Sequence, residues 1–127
     1  MTSHTDSEIA KELLGYHRMA LDSENILRRQ GASWAPDLLW DLSFHDPAHC
    51  WRVIQLAAMD KPNDDALLFF GVTVSSLLRD HPEIIDTIAR DVQENPILSE
   101  VMSWVEEDDA IEPSVWSRVE FLSNIKR

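Results

Sequence analysis

Glycine is scarce in this chain, and its scarcity removes whole classes of enzyme. The three glycines stand alone at positions 15, 31 and 71. Loops that cradle phosphates need several glycines at short spacing, and the nucleophile elbow of many hydrolases requires Gly-x-Ser-x-Gly. The sequence therefore largely excludes nucleotide-dependent enzymes and hydrolases with such an elbow. No other motif predicts a catalytic residue or a cofactor, so we expect neither.

Cysteine and long apolar runs are also lacking. The single cysteine, Cys50, cannot form an intrachain disulfide, and the residues after Met1 lack the basic and apolar regions of a secretory signal peptide. No apolar run approaches the roughly 20 residues that span a bilayer. These absences predict a soluble, cytoplasmic protein that makes no contact with membranes.

Basic residues are few, since 11 Lys and Arg face 23 Asp and Glu and leave a formal net charge of −12. Residues 91 to 120 alone contain nine acids and one base, Arg118. Such a surface repels nucleic acid and anionic lipid and favours basic partners. We therefore predict that this third of the chain binds a basic protein, although a solvated acidic loop is the alternative. The predicted partner-binding residues are Glu100, Trp104, Glu106, Glu107, Asp108, Asp109 and Glu112.

Amphipathic helices dominate what the chain does contain. Apolar residues recur at helical spacing, and polar residues followed by proline open several of the segments. We predict an all-α fold of six or seven short helices in a single domain, 1–127, with frayed ends at 1–5 and 124–127. Its architecture is a stack of helical hairpins or an irregular bundle. The predicted helices begin near Asp6, Ser33, Pro47, Asp64, Pro82, Pro96 and Pro113, and a helical piece from Asp22 is either separate or a continuation of the first.

The segment 47–59 is predicted to be the helix around which the others pack. Asp46 is a suitable N-cap and Pro47 suits the first helical position. Between Cys50 and Met59 only Arg52 and Gln55 are clearly polar, so the helix is apolar nearly all round and is expected to be buried.

Other apolar segments allow more specific expectations. Phe69 to Val74 is rich in residues that favour strands, but a helix with Leu67, Phe70, Val74, Leu77 and Leu78 inward is preferred, because no partner strand is evident. We expect Trp51 and Trp116 in the core and Trp34 in a connection. Trp104, beside the acidic run, is either an anchor for a basic partner or a cover over the edge of the core.

Histidines and acids offer the nearest approach to site chemistry. His45, His49 and Cys50 are ligand types that zinc prefers, but their spacing straddles a helix start, so we favour structural roles. His17 is expected to be a half-buried helix residue and His81 a cap, because neither has an identifiable nucleophile or a carboxylate placed to orient it nearby in sequence. The run from Glu106 to Asp109 lacks the alternating order of a calcium loop. We therefore predict no metal site.

A set of short motifs resembles a group of small, uncharacterised bacterial helical proteins. The motifs are Leu38-Leu39-Trp40-Asp41-Leu42, Asp46-Pro47-Ala48 with Trp51-x-x-Ile54, Gly71, Asn95-Pro96 and Val115-Trp116-x-x-Val119. They extend over residues 35 to 122. The resemblance implies a helical fold and a bacterial origin, and it implies no activity.

These observations lead to three functional hypotheses. The first is an inhibitor or immunity protein, a monomer or weak homodimer, that neutralises a basic toxin or nucleic-acid-binding protein through its acidic C-terminal third. The second is a metal-dependent enzyme that uses His45 and His49 with carboxylates. The third is a subunit of an oligomer whose interface contains exposed tryptophans.

Overall fold

A computed structural model describes residues 4–18 and 34–124 of the protein. Within these ranges it contains α-helices and two 3-10 turns, Pro82–Ile84 and Pro96–Leu98, but no strand, which confirms the all-α prediction. The predicted helix at 22–30 and the terminal residues 1–3 and 125–127 lie outside the described residues. The described helices are α1 (Asp6–Arg18), α2 (Trp34–His45), α3 (Pro47–Ala58), α4 (Asp64–Asp80), α5 (Ile85–Glu94), α6 (Ser99–Met102) and α7 (Pro113–Ser123).

Polar side chains cap the first turns of α1 and α3, whereas the polar residues before Pro82, Pro96 and Pro113 make no side-chain capping bond. The Glu8 backbone N–H donates to the Thr5 hydroxyl at 3.1 Å, and the His49 N–H donates to the Asp46 carboxylate at 3.3 Å. The Thr5 hydroxyl in turn donates to the Glu8 carboxylate at 3.2 Å, and this bond lowers the pKa of Glu8. These bonds satisfy N–H groups that have no partner within a helix.

The buried side chains form one core, in which α4 occupies the central place. This helix contacts α1, α2, α3 and α6 and the turn before α5. Its predicted inward residues are all buried, and the strand alternative for residues 69–74 is wrong. The hydroxyls of Thr73 and Ser75 donate back to the Phe69 and Gly71 carbonyls at 2.8 and 3.0 Å. Helical packing thus overrides the local preference for a strand.

The helix α3 is less enclosed than its composition indicates. It packs on α1, α2 and α4 and buries Cys50, Trp51 and Ile54. Leu56 and Met59, however, are 42% and 57% exposed. The prediction that this helix is buried all round is therefore wrong, because a face of α3 is left to solvent by the helices that pack on it.

Not all of the tryptophans lie where the sequence predicts. Trp51 is buried as expected, and its indole N–H donates to Asp91 at 2.9 Å. Trp116 only packs against the edge of the core, where it is half-buried. Trp34 is the first residue of α2 instead of part of a connection, and its ring stacks on His4 with centroids 4.1 Å apart.

None of the described helices combines the length and the apolar character that crossing a membrane requires.

Candidate partner-binding surface

The predicted binding residues cluster around one loop, which we call the acidic loop and define as residues 103–112. It joins α6 to α7, and the prediction that Glu106 to Asp109 lie outside a helix is confirmed. Val105 and Ile111 are buried near its two ends. These two apolar anchors hold the loop on the core and leave the residues between them at the surface.

Contacts with α4 fix the loop further. A Cβ atom added to Gly71 would lie 2.1 Å from the Trp104 carbonyl oxygen, so only glycine permits this approach of the loop backbone. The Ser75 hydroxyl lies 3.3 Å from both the N–H and the carbonyl oxygen of Glu106 and can accept from the former. Sequence reasoning gave neither residue a role, because both contacts join positions about 30 residues apart.

One of the loop carboxylates has a structural role. Asp108 accepts from the backbone N–H of Ala110 at 2.8 Å and from the Arg79 guanidinium at 3.4 Å. The backbone N–H of Ile111 also donates to the Asp108 carbonyl at 2.8 Å. Asp108 therefore closes the turn and ties it to α4, and its charge is partly matched by Arg79.

The other acids of the loop face solvent. Among the described residues, none of them forms an ion pair or a side-chain hydrogen bond, and all are exposed. They can therefore form ion pairs with cationic side chains of a partner without first breaking an ion pair or a hydrogen bond to another described residue. These residues are Glu106, Glu107, Asp109 and Glu112.

The remaining two predicted residues lie beside the loop in different settings. Trp104 is half-buried and packs against the core, an arrangement in which its ring covers the core edge. Glu100 lies in α6 and lines a small pocket together with Leu67 and Val101. The predicted binding residues thus all come from the segment 100–112. Only the four exposed acids among them present unpaired carboxylates to solvent within the described structure.

His49 joins two helices. Its Nε2 lies 2.5 Å from the Asp6 carboxylate, which also lies 3.6 Å from the Arg52 guanidinium. His45 is highly exposed and lies 3.5 Å from Asp41. In the chain ranges that the structure covers, no group of three or more His, Cys, Asp and Glu residues is arranged to hold a metal ion.

Two further histidines, His17 and His81, also contact groups distant in sequence. His17 is buried instead of half-buried as predicted, and its Nδ1 lies 2.6 Å from the Asp65 carboxylate of α4. His81 occupies the C-cap of α4 and the N-cap position of the following 3-10 turn, as predicted, but its ring makes no capping bond and lies 3.0 Å from the Phe44 carbonyl oxygen. These contacts join helices, and the sequence distance of 48 residues between His17 and Asp65 hides the pair from local inspection.

The third hypothesis relied on exposed tryptophans, and the structure corrects that premise. The tryptophans are buried or half-buried in the part of the chain that is described. The exposed large apolar side chains are instead Phe44, Leu56, Met59, Leu68, Val72, Ile97 and Phe121.

Comparison of the chain with protein-family models, curated proteins and solved structures yields no match. The resemblance to the uncharacterised bacterial helical group therefore stays a prediction.

Proposed function

We propose that the protein binds a basic protein partner through the acidic loop. The observation that carries this proposal is the set of four exposed loop carboxylates that have no cationic partner within the described residues. An inhibitor or immunity protein that neutralises a basic toxin or a nucleic-acid-binding protein fits this surface. A cytoplasmic location belongs to the same proposal, because the chain has one buried cysteine and no disulfide.

Two physical effects favour binding by this loop. A net charge of −12 produces a long-range field that raises the association rate of a basic partner. The contacts of Gly71 and Ser75 with the loop fix the loop backbone against α4 in the free protein. Less conformational entropy is then lost when the complex forms.

Affinity capture with matched variants tests this proposal. The protein is tagged, exposed to native cell lysate, and washed at low and then at high salt, with mass spectrometry of what is retained. The loop variant is E106K/D109K, and the control variant is E12K/E94K. Both change the net charge by the same amount, and all four substituted residues are exposed. We expect the wild type and the control to retain a stoichiometric basic protein that the loop variant loses.

Two results would contradict the proposal. Equal retention by the loop variant would place the binding surface elsewhere. Equal loss by the control variant would mean that overall charge, and no particular surface, attracts the retained protein.

A further inference from the structure

Two exposed apolar side chains, Leu68 and Val72, lie on the outer face of α4. They are 46% and 39% exposed, whereas Phe70 and Val74 on the opposite face of the same helix are completely buried. Leu68 and Val72 are four residues apart and are therefore neighbours on the helix surface. We call this pair the apolar stripe. A partner that covered the stripe would remove apolar surface from water, and this removal favours binding.

The apolar stripe continues into the part of α4 that holds the acidic loop. Ser75 follows Val72 by three residues, and its hydroxyl lies 3.3 Å from the Glu106 nitrogen. Arg79 follows Ser75 by four residues and lies 3.4 Å from Asp108. Residues at these spacings lie along one side of a helix, and three residues rise only about 4.5 Å. The stripe and the loop therefore share one face of the molecule.

Charge and apolar surface together specify what this face can bind. An acidic partner would be repelled by the net charge of −12, whereas lysine and arginine side chains match the exposed loop acids. Specific interfaces combine an apolar centre with a polar rim, so a partner of this face also needs apolar side chains beside its cations. An amphipathic helix supplies both at fixed spacing, and side chains four residues apart form ridges that pack along another helix.

We propose that the basic partner binds this face with an amphipathic helix. The apolar side chains of that helix cover Leu68 and Val72, and its lysine or arginine side chains pair with the loop acids. The proposal rests on the proposed function, because the loop acids attract the cationic side of the helix. It adds that the partner is selected by apolar contact as well as by charge.

A synthetic peptide tests the proposal in place of the unidentified partner. Isotope-labelled protein is titrated with a peptide of about 18 residues, long enough to form a helix, that has leucine on one face and lysine on the other. The matched probe contains the same residues in a scrambled order and therefore has the same charge but no apolar face. We expect saturable NMR shifts of the Leu68, Val72 and Glu106 amides with the amphipathic peptide, and about tenfold weaker binding of the scrambled one.

Two variants of the protein locate the apolar contact. L68Q/V72Q is expected to weaken binding of the amphipathic peptide about tenfold or more, because apolar burial is lost. L56Q/M59Q is the matched control, since Leu56 and Met59 are also exposed and lie at the end of α3, and it is expected to leave binding unchanged. Glutamine forms helices well, so neither variant is expected to unfold the protein, and urea denaturation checks this.

Three results would overturn the proposal: no saturable binding of the amphipathic peptide, equal binding of the two peptides, or equal weakening by L68Q/V72Q and L56Q/M59Q. The variant E106K/D109K separates this proposal from the function proposed for the loop, and we expect it to weaken peptide binding as well. Weakening by E106K/D109K alone would support the loop and contradict the apolar contact. Weakening by L68Q/V72Q alone would support the apolar contact and contradict the function proposed for the loop.

Discussion

At the scale of single residues, two glycines lie in opposite environments within helices. Gly71 in α4 meets the Trp104 carbonyl so closely that an added Cβ would lie 2.1 Å from its oxygen. Gly15 in α1 has no atom within 4 Å of the same position. The first glycine is required by packing, whereas the second only lowers the helix propensity of α1.

The substitution G71A is therefore expected to lower the free energy of unfolding by about 1 to 3 kcal/mol, because a backbone segment must move to make room. G15A is the matched control and is expected to raise it by about 0.5 to 1 kcal/mol. Urea denaturation of both variants measures the two changes. A G71A protein as stable as the wild type would contradict the close packing of the acidic loop on α4.

The buried thiol of Cys50 provides a second test at this scale. Burial raises the pKa of Cys50 from 9.0 to about 12, and the nearby Asp46 carboxylate adds to the increase. We expect no reaction with a thiol reagent at pH 8 until denaturant unfolds the protein. Rapid stoichiometric labelling of the native protein would contradict this burial.

The same shift predicts a pH dependence of stability. The folded state favours the neutral thiol. The stability that the buried neutral Cys50 contributes is therefore fully present below about pH 9 and is lost as the pH rises toward 12. The difference in unfolding free energy between wild type and C50A is therefore expected to shrink across this range. A constant difference would show that ionisation of the thiol is not coupled to folding.

At the scale of elements, the acidic loop depends on α4 for its position. Ser75 is buried, and its hydroxyl can accept from the Glu106 N–H. Arg79, one turn further along α4, lies 3.4 Å from Asp108. The loop therefore has two attachments on one face of α4 in addition to its buried ends.

The substitution S75A is expected to destabilise the protein by about 1 kcal/mol, because the Glu106 N–H loses an acceptor. Hydrogen exchange of the Glu106 amide is expected to quicken at the same time. S103A removes an exposed hydroxyl whose one hydrogen bond within the described residues is to the nearby Glu100 carbonyl, and it serves as the control. Equal exchange in S75A and the wild type would show that Ser75 does not hold the loop.

Helix positions were predictable from the sequence because caps and apolar spacing are local signals. Asp46, Asn63 and Pro113 begin or precede helices close to the expected residues. The burial of α3 was not predictable in the same way. Composition indicates how apolar a helix is, but the neighbouring helices decide which face is covered, and they leave Leu56 exposed.

The candidate site was predictable only in part for the same reason. The density of carboxylates from Glu106 to Asp109 is visible in the sequence, and so is their place outside a helix. The division between a structural Asp108 and its exposed neighbours depends on Arg79, which lies 29 residues away. The pairing of His17 with Asp65 spans 48 residues and carries no local signal.

At the scale of the whole molecule, the negative charge is concentrated. Nine acids and one base between residues 91 and 120 account for −8 of the net −12. Some of these acids have structural partners, as Asp91 does with the Trp51 indole at 2.9 Å. The four exposed loop acids are the part of this excess that is gathered in one loop, and interactions between exposed charges weaken with added salt.

The dissociation constant of the captured basic protein, measured over a series of salt concentrations, tests the central claim most directly. The wild type, E106K/D109K and E12K/E94K are compared under identical conditions. We expect affinity to fall with salt for the wild type and the control, and the loop variant to bind more weakly with a shallower salt dependence. Equal affinities and equal salt dependence for the wild type and E106K/D109K would contradict the assignment of binding to the acidic loop.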